Sequence, residues 1–367
     1  MLRARRLVLG ALFVCLPAAA GAQGGTTPPP NPDAQSIRIG TQIFYDYTYT
    51  AAPKGTDADG NEISPNSFNI QRAYINVSGT ISRAVSFRVT PDVRRETGTG
   101  SSLNGAMTFR LKYAYAQFAL DEWMADGTIA RLGMIQTPYL ESIDGIYRYR
   151  FQGTTITERD AGFISADVGA SFRMPVGGEY GEVQVGFYNG EGYQAVEPND
   201  QKSLQLLGML LPLVKSSGAL RGLRLTAFYN GDHYQKNAER RRFATNAMLE
   251  HRRFNGGFEF VSGTDLKSAT GASLDSDGYS FFFTPFLNEK GRGWEGLLRY
   301  DWYDEDAESA GHRDRWIGGI AYWFPHPAGS ATAALLLDYE QVNFREYPAG
   351  LKPPTQRRIA LHGLINF

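Results

Sequence analysis

The sequence of 367 residues contains one cysteine, Cys15, and it lies in an N-terminal segment that we expect to be removed. The mature chain then has none, which excludes disulfide bonds, thiolate metal sites and a cysteine nucleophile. A second absence is the long apolar run. Beyond the N-terminus no stretch is apolar over the length that a membrane-spanning helix needs.

The N-terminus has the three parts of a secretory signal peptide. Three arginines precede an apolar segment, residues 7–16, and Ala20-Gly21-Ala22 gives the small-x-small pattern of a cleavage site. The apolar segment is too short for a transmembrane anchor, and no small residue precedes Cys15 as it would in a lipoprotein. The predicted division is a signal peptide (1–22), a flexible linker (23–35) and an outer-membrane barrel domain (36–367).

Composition supports an exported barrel. Hydrophobic residues make up 42% of the chain and aromatic residues 13%, although no single run is long. A membrane barrel has this composition because each strand needs only one apolar face. Removing the three signal arginines from the 37 basic residues leaves 34 against 38 acidic ones, a net charge of −4. This charge argues against a nucleic-acid partner.

Alternation of apolar and polar residues predicts sixteen β-strands. They lie near 36–50, 68–78, 83–94, 108–120, 128–136, 165–174, 182–189, 203–212, 220–230, 240–250, 255–263, 278–286, 293–303, 313–324, 331–343 and 355–367. In the last strand, Ile359, Leu361, Gly363, Ile365 and Phe367 share one face. For that segment alone, the edge strand of a soluble sandwich is the alternative. Strands of about 9–11 residues suit a tilted crossing of the outer membrane.

The lengths of the connections alternate as well. With the N-terminus in the periplasm, the outer connections are mostly long: 51–67, 95–107, 137–164, 190–202 and 264–277. The inner ones are short: 79–82, 121–127, 175–181, 251–254, 287–292 and 325–330. This sorting predicts an all-β fold, a transmembrane antiparallel up-and-down barrel of about sixteen strands in the bacterial outer membrane. Lipid and lipopolysaccharide are its expected surroundings.

Charged residues on the inferred inner faces are unevenly distributed. Strands one to six carry eight basic residues (Arg38, Arg72, Arg88, Arg94, Arg110, Lys112, Arg131 and Arg173) against Asp46, Asp92 and Asp167. The later strands are nearly balanced: Arg224, Arg242, Arg299, Arg315 and Arg358 against Glu182, Glu250, Glu259, Glu295, Asp301, Asp338 and Glu340. We interpret the first group as a basic pore wall that concentrates anions. The solvated face of a soluble sheet is the alternative.

The longest connection, the third outer loop, is rich in charged and aromatic residues. It holds Arg148, Arg150 and Arg159 together with four acidic residues and interleaved tyrosines. A sixteen-stranded barrel is wide enough to need a constriction if it is selective. We therefore predict that this loop folds inward and that its three arginines line the constriction, with Arg148-Tyr149-Arg150 near the basic wall. A plain surface loop is the alternative.

Several segments, in order, resemble the phosphate-selective porin O/P family. They are Phe68-Asn69-Ile70-Gln71-Arg72-Ala73-Tyr74, Lys112-Tyr113-Ala114-Tyr115, Arg131-Leu132-Gly133-Met134-Ile135-Gln136-Thr137-Pro138-Tyr139, Gly186-Phe187-Tyr188-Asn189-Gly190-Glu191-Gly192, Glu295-Gly296-Leu297-Leu298-Arg299-Tyr300-Asp301 and the closing Phe367. The resemblance covers most of the mature chain and implies a sixteen-stranded trimeric channel with an arginine-bearing inward loop. It makes phosphate or another oxyanion a candidate solute. The terminal Phe367 resembles the signal by which outer-membrane barrels are recognised for assembly, which makes the assembly machinery an expected partner.

An outer-membrane enzyme is a competing class. None of the five histidines is accompanied by a Gly-x-Ser-x-Gly element or a similar nucleophile motif, so we predict no enzymatic activity. The acidic run at 57–62 departs from calcium-loop spacing, and we predict neither a metal nor a cofactor.

The predicted function is passive conduction of small hydrophilic solutes and ions, with a preference for small anions. Arginine suits this role because it stays charged and can hold an oxyanion through paired N–H groups. The alternative is a non-conducting barrel with a structural or surface-interaction role.

Overall fold

The computed structural model of the protein describes residues 35–367 except for 99, 307–310, 327–330 and 349. The predicted signal peptide and all but the last residue of the predicted linker lie outside the described residues. These two divisions of the chain therefore stay predictions.

Sixteen strands form one closed antiparallel barrel in which β1 pairs with β16. They are β1 Ser36–Ala52, β2 Asn66–Ser82, β3 Val85–Arg95, β4 Met107–Ala119, β5 Ile129–Gln136, β6 Ala166–Val176, β7 Gly181–Tyr188, β8 Ser203–Leu210, β9 Leu223–Gln235, β10 Ala238–His251, β11 Phe254–Asp265, β12 Leu274–Pro285, β13 Gly293–Asp304, β14 His312–Trp323, β15 Thr332–Arg345 and β16 Gln356–Asn366. Each overlaps one predicted segment, so the predicted fold class is confirmed.

The alternation in the sequence separates an apolar outer face from a charged interior. Ile37, Ile39 and Phe68 are 71%, 68% and 82% exposed, and on β16 Ile359, Leu361 and Ile365 face outward while His362 and Leu364 are buried. All the charged residues predicted to face inward are buried or half-buried. A charged side chain on the lipid face costs about 2–4 kcal/mol at the midplane, so this sidedness is what a bilayer requires.

The connections at the two ends of the barrel differ in length. One end carries those at 53–65, 96–106, 137–165 and 189–202, and the first of these contains a small hairpin (Gly55–Thr56 with Glu62–Ile63). The other end has turns as short as 83–84 and 252–253, together with one longer connection at 211–222. The side of the membrane on which each end lies stays a prediction.

One connection on the long-loop end is much shorter than the strand limits from the sequence imply. β9 and β10 run past those limits and are joined by Lys236 and Asn237 alone. Two features explain the extension. Asp232 lies opposite Arg240 and binds its guanidinium, and Asn237 takes the left-handed conformation (φ 65°) that a tight hairpin turn needs.

The third loop lies inside the barrel, as predicted. It contains α1 (Pro138–Tyr147) and the short α2 (Ile156–Arg159). Proline at the first helical position favours α1 because its missing N–H would have no partner there. The residues Tyr139, Ile143, Ile146 and Tyr147 follow helical spacing and are buried.

Most of the apolar core lies between this loop and the wall of the later strands, and Phe44 of β1 and Tyr74 of β2 also belong to it. α1 packs against β8, β10 and β11, and α2 packs against β12. The core residues on the wall include Leu207, Phe228, Met248, Phe282, Leu297 and Trp323. The loop therefore packs mainly against the nearly neutral wall. No helix in the described part of the chain is long and apolar enough to cross a membrane.

Candidate functional site

Polar anchors fix the third loop to the later strands. The Tyr139 hydroxyl donates to Glu259 on β11 at 3.0 Å, and it accepts a bond from Asn246 on β10 at 3.1 Å. Burial and the negative charge of Glu259 raise the pKa of Tyr139 well above its usual value, so the phenol stays protonated and can donate. Near the end of α1, Asn255 donates to the carbonyl of Ile146 at 2.9 Å.

Arg148 ends α1 and lies deep in the barrel. It has a left-handed backbone (φ 63°), and its guanidinium lies 4.2 Å from the centre of the Trp323 ring and 3.2 Å from Glu295. The buried Glu295 also accepts bonds from the Tyr149 hydroxyl at 2.8 Å and from the backbone N–H of Gly291 at 2.6 Å. Since Gly291 belongs to the β12–β13 turn, the tip of the loop reaches the short-turn end of the barrel.

Arg150 joins the two helices of the loop. Its guanidinium contacts Asp144 of α1 at 2.9 Å and Glu158 of α2 at 2.5 Å. Burial raises the pKa of Asp144, and this effect outweighs the nearby Arg150 charge. Burial acts in the same direction on Glu158, but there Arg150 prevails and lowers the pKa. The charge of Arg150 therefore favours the ionised form of Glu158.

Arg159 belongs to a network of alternating charges on β13 and β14. It binds Asp160 at 2.8 Å and also contacts Asp301, which pairs with Arg299 at 2.8 Å. Arg313 binds Asp160 from the other side at 3.0 Å. All three loop arginines therefore lie inside the barrel, and each is paired with a carboxylate. Arg148 and Arg159 contact the later strands, and they do not pair with residues of the basic wall.

Cations of the basic wall line the opposite side of the interior. Arg72 and Arg110 share Asp92, at 2.5 and 2.8 Å, and the two arginine side chains keep 22% and 19% exposure while Asp92 has none. Arg88 donates to Asn76 at 2.8 Å and to Thr90 at 3.0 Å. Two cations against one carboxylate leave an excess positive charge at Asp92.

The remaining predicted wall residues make different contacts. Arg94 donates to Gln194 at 3.2 Å. Arg131 reaches across to Glu141 of α1 at 2.9 Å, which joins the basic wall to the helix of the third loop. Lys112 is buried and donates to the Tyr74 hydroxyl at 3.2 Å.

Tyrosine rings alternate with these cations, a feature that the sequence analysis missed. Arg88 lies 4.6 Å from the ring centre of Tyr113, Arg110 4.6 Å from that of Tyr193, and Lys112 4.9 Å from that of Tyr74. A cation over an aromatic face is attracted by the ring quadrupole. The rings therefore hold the cations in place without neutralising their charge.

A β-bulge explains why tyrosines and cations of β4 share one face. The register of β3 against β4 shifts between Thr90 and Pro91, which leaves Lys112 as the extra residue. Strict alternation would turn Tyr113 away from Lys112, whereas both are buried. Pro91 was the available signal, because proline within a strand indicates an edge or a bulge.

The charges across the lumen differ in sign. The third loop carries three arginines against Glu141, Asp144, Glu158 and Asp160, a net charge of −1, and it faces a wall with an excess of cations. Opposite net charges on two facing surfaces set up a transverse field between them. Within the described ranges, no group of three or more His, Cys, Asp or Glu side chains is arranged to hold a metal ion.

The barrel is similar to solved outer-membrane proteins. An anion-selective porin from Comamonas acidovorans aligns with a TM-score of 0.64 at 12% identity, over 91% of this chain and 100% of that chain. The outer membrane channel DcaP of Acinetobacter baumannii aligns with a TM-score of 0.58 at 11% identity, over 91% and 98%. The trimer form of OmpT of Vibrio cholerae gives 0.57 at 10% identity, over 91% and 100%.

No protein-family model matches the chain, and no curated protein matches it. The structural similarity confirms the porin barrel that the sequence resemblance implied, but it does not confirm the phosphate-selective porin O/P family. A closed barrel with an apolar exterior is built for a bilayer, and the similar structures are outer-membrane proteins. The predicted location, the bacterial outer membrane, is confirmed.

Proposed function

We propose that the protein is an outer-membrane porin that passively conducts small hydrophilic solutes and ions and prefers anions. The observation that carries the proposal is the inward third loop, which faces partly exposed cations across the interior of a closed barrel. The protein is then a channel and not an enzyme. Two similar structures, an anion-selective porin and an outer membrane channel, agree with this function.

Within this proposal the three loop arginines have different tasks. Arg148 is packed against Trp323 and paired with Glu295, so it holds the tip of the loop in place. Arg150 and Arg159 remain the constriction residues, and Arg72, Arg88, Arg94, Arg110, Lys112 and Arg131 supply the positive wall. The wall charges contribute more to anion preference than the loop arginines do, because Asp92 neutralises only one of its two arginine partners. An oxyanion such as phosphate suits these guanidinium groups.

The proposed assembly is a homotrimer, for which the trimer form of OmpT is the precedent. The exposed apolar outer face supplies surface for lipid, lipopolysaccharide and neighbouring barrels. Phe367 is 71% exposed at the outer face, where the assembly machinery would bind it.

Reversal potentials in a planar bilayer test the function. Purified protein should give conductance steps, and a potassium chloride gradient at low salt should give a potential of the sign for chloride preference, because screening is weak at low salt. A potential of the opposite sign would mean that the acidic groups dominate and would reject anion preference. Absence of steps from correctly inserted trimers would favour the structural, non-conducting alternative.

A further inference from the structure

A polar cavity lies beside the third loop, where β14–β16 meet β1 and β2. Its volume is about 230 Å³, and it is bordered by the loop segment 152–154 with Arg159 and by side chains of β1, β2 and β14–β16. A single water needs only about 10–15 Å³ of such space, so the cavity is large enough for a small solute. Neither the pore wall nor the loop anchors account for it.

One end of the cavity carries two guanidinium groups on a single carboxylate. Arg315 and Arg358 bind opposite oxygens of Glu340, the second at 2.6 Å. Gln152 of the loop also donates to Glu340 at 3.0 Å. The cluster of Arg315, Arg358 and Glu340 therefore has a net charge of +1. Each guanidinium group has five N–H donors and uses only one nitrogen to bind Glu340.

Two of the donors in this cluster are unsatisfied. The Nε atoms of Arg315 and Arg358 are buried and have no hydrogen-bond partner among the described residues. These Nε atoms have no accessible surface of their own, but the Arg315 and Arg358 side chains keep 15% and 32% exposure, which leaves their guanidinium groups open to an incoming acceptor. Arg159 borders the same cavity from the loop and adds a third guanidinium. This end is suited to a carboxylate, which guanidinium groups bind through paired N–H bonds.

The other end offers groups that pair with hydroxyls. Gln71 is the extra residue of a β-bulge opposite Phe44 and Tyr45, so its side chain turns inward and donates to Asp46 at 2.5 Å. Asp46 also accepts bonds from Thr48 and Asn69. His362 lies 3.9 Å from Asp46 through one ring nitrogen and 3.3 Å from Asp338 through the other. Amides, an imidazole and a carboxylate together form a surface for hydroxyl groups.

We infer that this cavity, with Arg315, Arg358 and Arg159 at one end and Gln71, Asp46 and His362 at the other, binds a small hydroxycarboxylic acid such as a sugar acid. The inference rests on the proposed conduction of solutes and names their chemical class. The carboxylate lies at the arginine end, and the hydroxyls lie at the glutamine and histidine end.

Isothermal titration calorimetry of the full detergent-solubilised barrel tests the site without requiring conduction. Sodium gluconate at low ionic strength should bind saturably, whereas sorbitol, which lacks the carboxylate, and butyrate, which lacks the hydroxyls, should bind at least about tenfold more weakly. A lost charge-assisted hydrogen bond corresponds to about a ten- to hundredfold change in affinity. Butyrate binding as tight as gluconate binding would overturn the assignment of the hydroxyl end.

Two variants and one matched control sharpen the test. Arg358→Gln should weaken gluconate binding about tenfold or more. The remaining arginine, Arg315, is then neutralised by Glu340, so the cluster loses its net positive charge. Glu340→Gln should bind gluconate more tightly, because a competing carboxylate is removed. Arg241→Gln removes an exposed charge that pairs with Glu239 and should bind as the parent does. Heat-modifiability gels establish that each variant is folded.

The outcomes separate the site from the channel. Gluconate binding that is absent, or equal in folded Arg358→Gln and parent, overturns the site even where conductance steps are normal. Gluconate binding that weakens in Arg358→Gln, in a protein without conductance steps, supports the site and rejects the proposed channel function. A loss of gluconate binding in folded Glu340→Gln also overturns the arrangement, because it would mean that the Glu340 carboxylate helps to bind gluconate instead of competing with it.

Discussion

Removal of the charge of Glu295 is expected to release the tip of the third loop. Glu295 accepts bonds from Arg148, Tyr149 and the backbone of Gly291 and has no exposed side-chain surface. Glu295→Gln keeps the size of the side chain but leaves the guanidinium of Arg148, only 9% exposed, without its counter-ion. Breaking a buried ion pair on one side typically costs about 3–5 kcal/mol.

Part of that loss is offset by the remaining contacts. Arg148 keeps its position over the Trp323 ring, an interaction worth about 0.5–2 kcal/mol. The glutamine oxygen can still accept one of the three bonds. We therefore expect the free energy of opening the loop to fall by about 2–4 kcal/mol, and since 1.4 kcal/mol is a factor of ten, the open population should rise roughly 30- to 1,000-fold.

Hydrogen exchange of the backbone amides measures this opening directly. Amides of 148–154 should exchange faster in Glu295→Gln, while amides of β2 to β4 should be unchanged because the barrel stays closed. Single-channel recordings should show larger current noise. The matched control is Glu239→Gln, which removes a half-exposed carboxylate paired at the surface with Arg241, where a pair is worth about 0–1 kcal/mol. Exchange of 148–154 at the parental rate in Glu295→Gln would refute the anchoring role.

Three further predictions concern topology, assembly and selectivity. A tag inserted near Asp275 should be reached by antibody on intact cells and one near Lys290 should not, and the reverse result would invert the orientation. Deletion of Phe367 should reduce the heat-modifiable barrel in outer-membrane fractions, because its backbone exchanges two hydrogen bonds with Thr41 at the β1–β16 closure; normal levels would count against that role. Arg88→Gln should lower the chloride-to-potassium permeability ratio while Arg88→Lys retains it, and equal ratios would show that this wall position does not act on the permeating ions.

The barrel was predictable because each strand obeys a local rule. Alternation of side chains between lipid and lumen can be recognised from neighbouring residues, as in Ile37, Arg38 and Ile39 of β1. It does not depend on distant partners. The strands β8 and β12 were identified as well, although apolar and polar residues alternate only weakly in them. The limits of β9 were missed because an ion pair across the hairpin, Asp232 with Arg240, extends the pairing beyond the membrane pattern.

The site was only partly predictable, because its contacts join residues far apart in the chain. The three loop arginines were placed in the interior from the content of the loop, the width of the barrel and the family resemblance. Glu295 and Asp301, the partners of Arg148 and Arg159 on the barrel wall, lie more than a hundred residues away. The helix α1 could have been found, since Pro138 precedes apolar residues at helical spacing. The Tyr–cation contacts could not have been found by strict alternation, which fails at the Lys112 bulge.

The predicted mature chain has a negative net charge although the proposed channel prefers anions. The positions of the charged residues explain the difference. The mature chain is predicted to be acidic, yet acidic residues such as Asp57, Asp59 and Glu62 lie in the exposed first loop, where solvent screens them. Inside the barrel, the local charge depends on how many arginines are paired with each carboxylate. Asp92 serves two arginines, and Glu340 serves two more. A carboxylate between two guanidinium groups orders both and neutralises one, so the lumen can carry positive potential although the chain as a whole is negative.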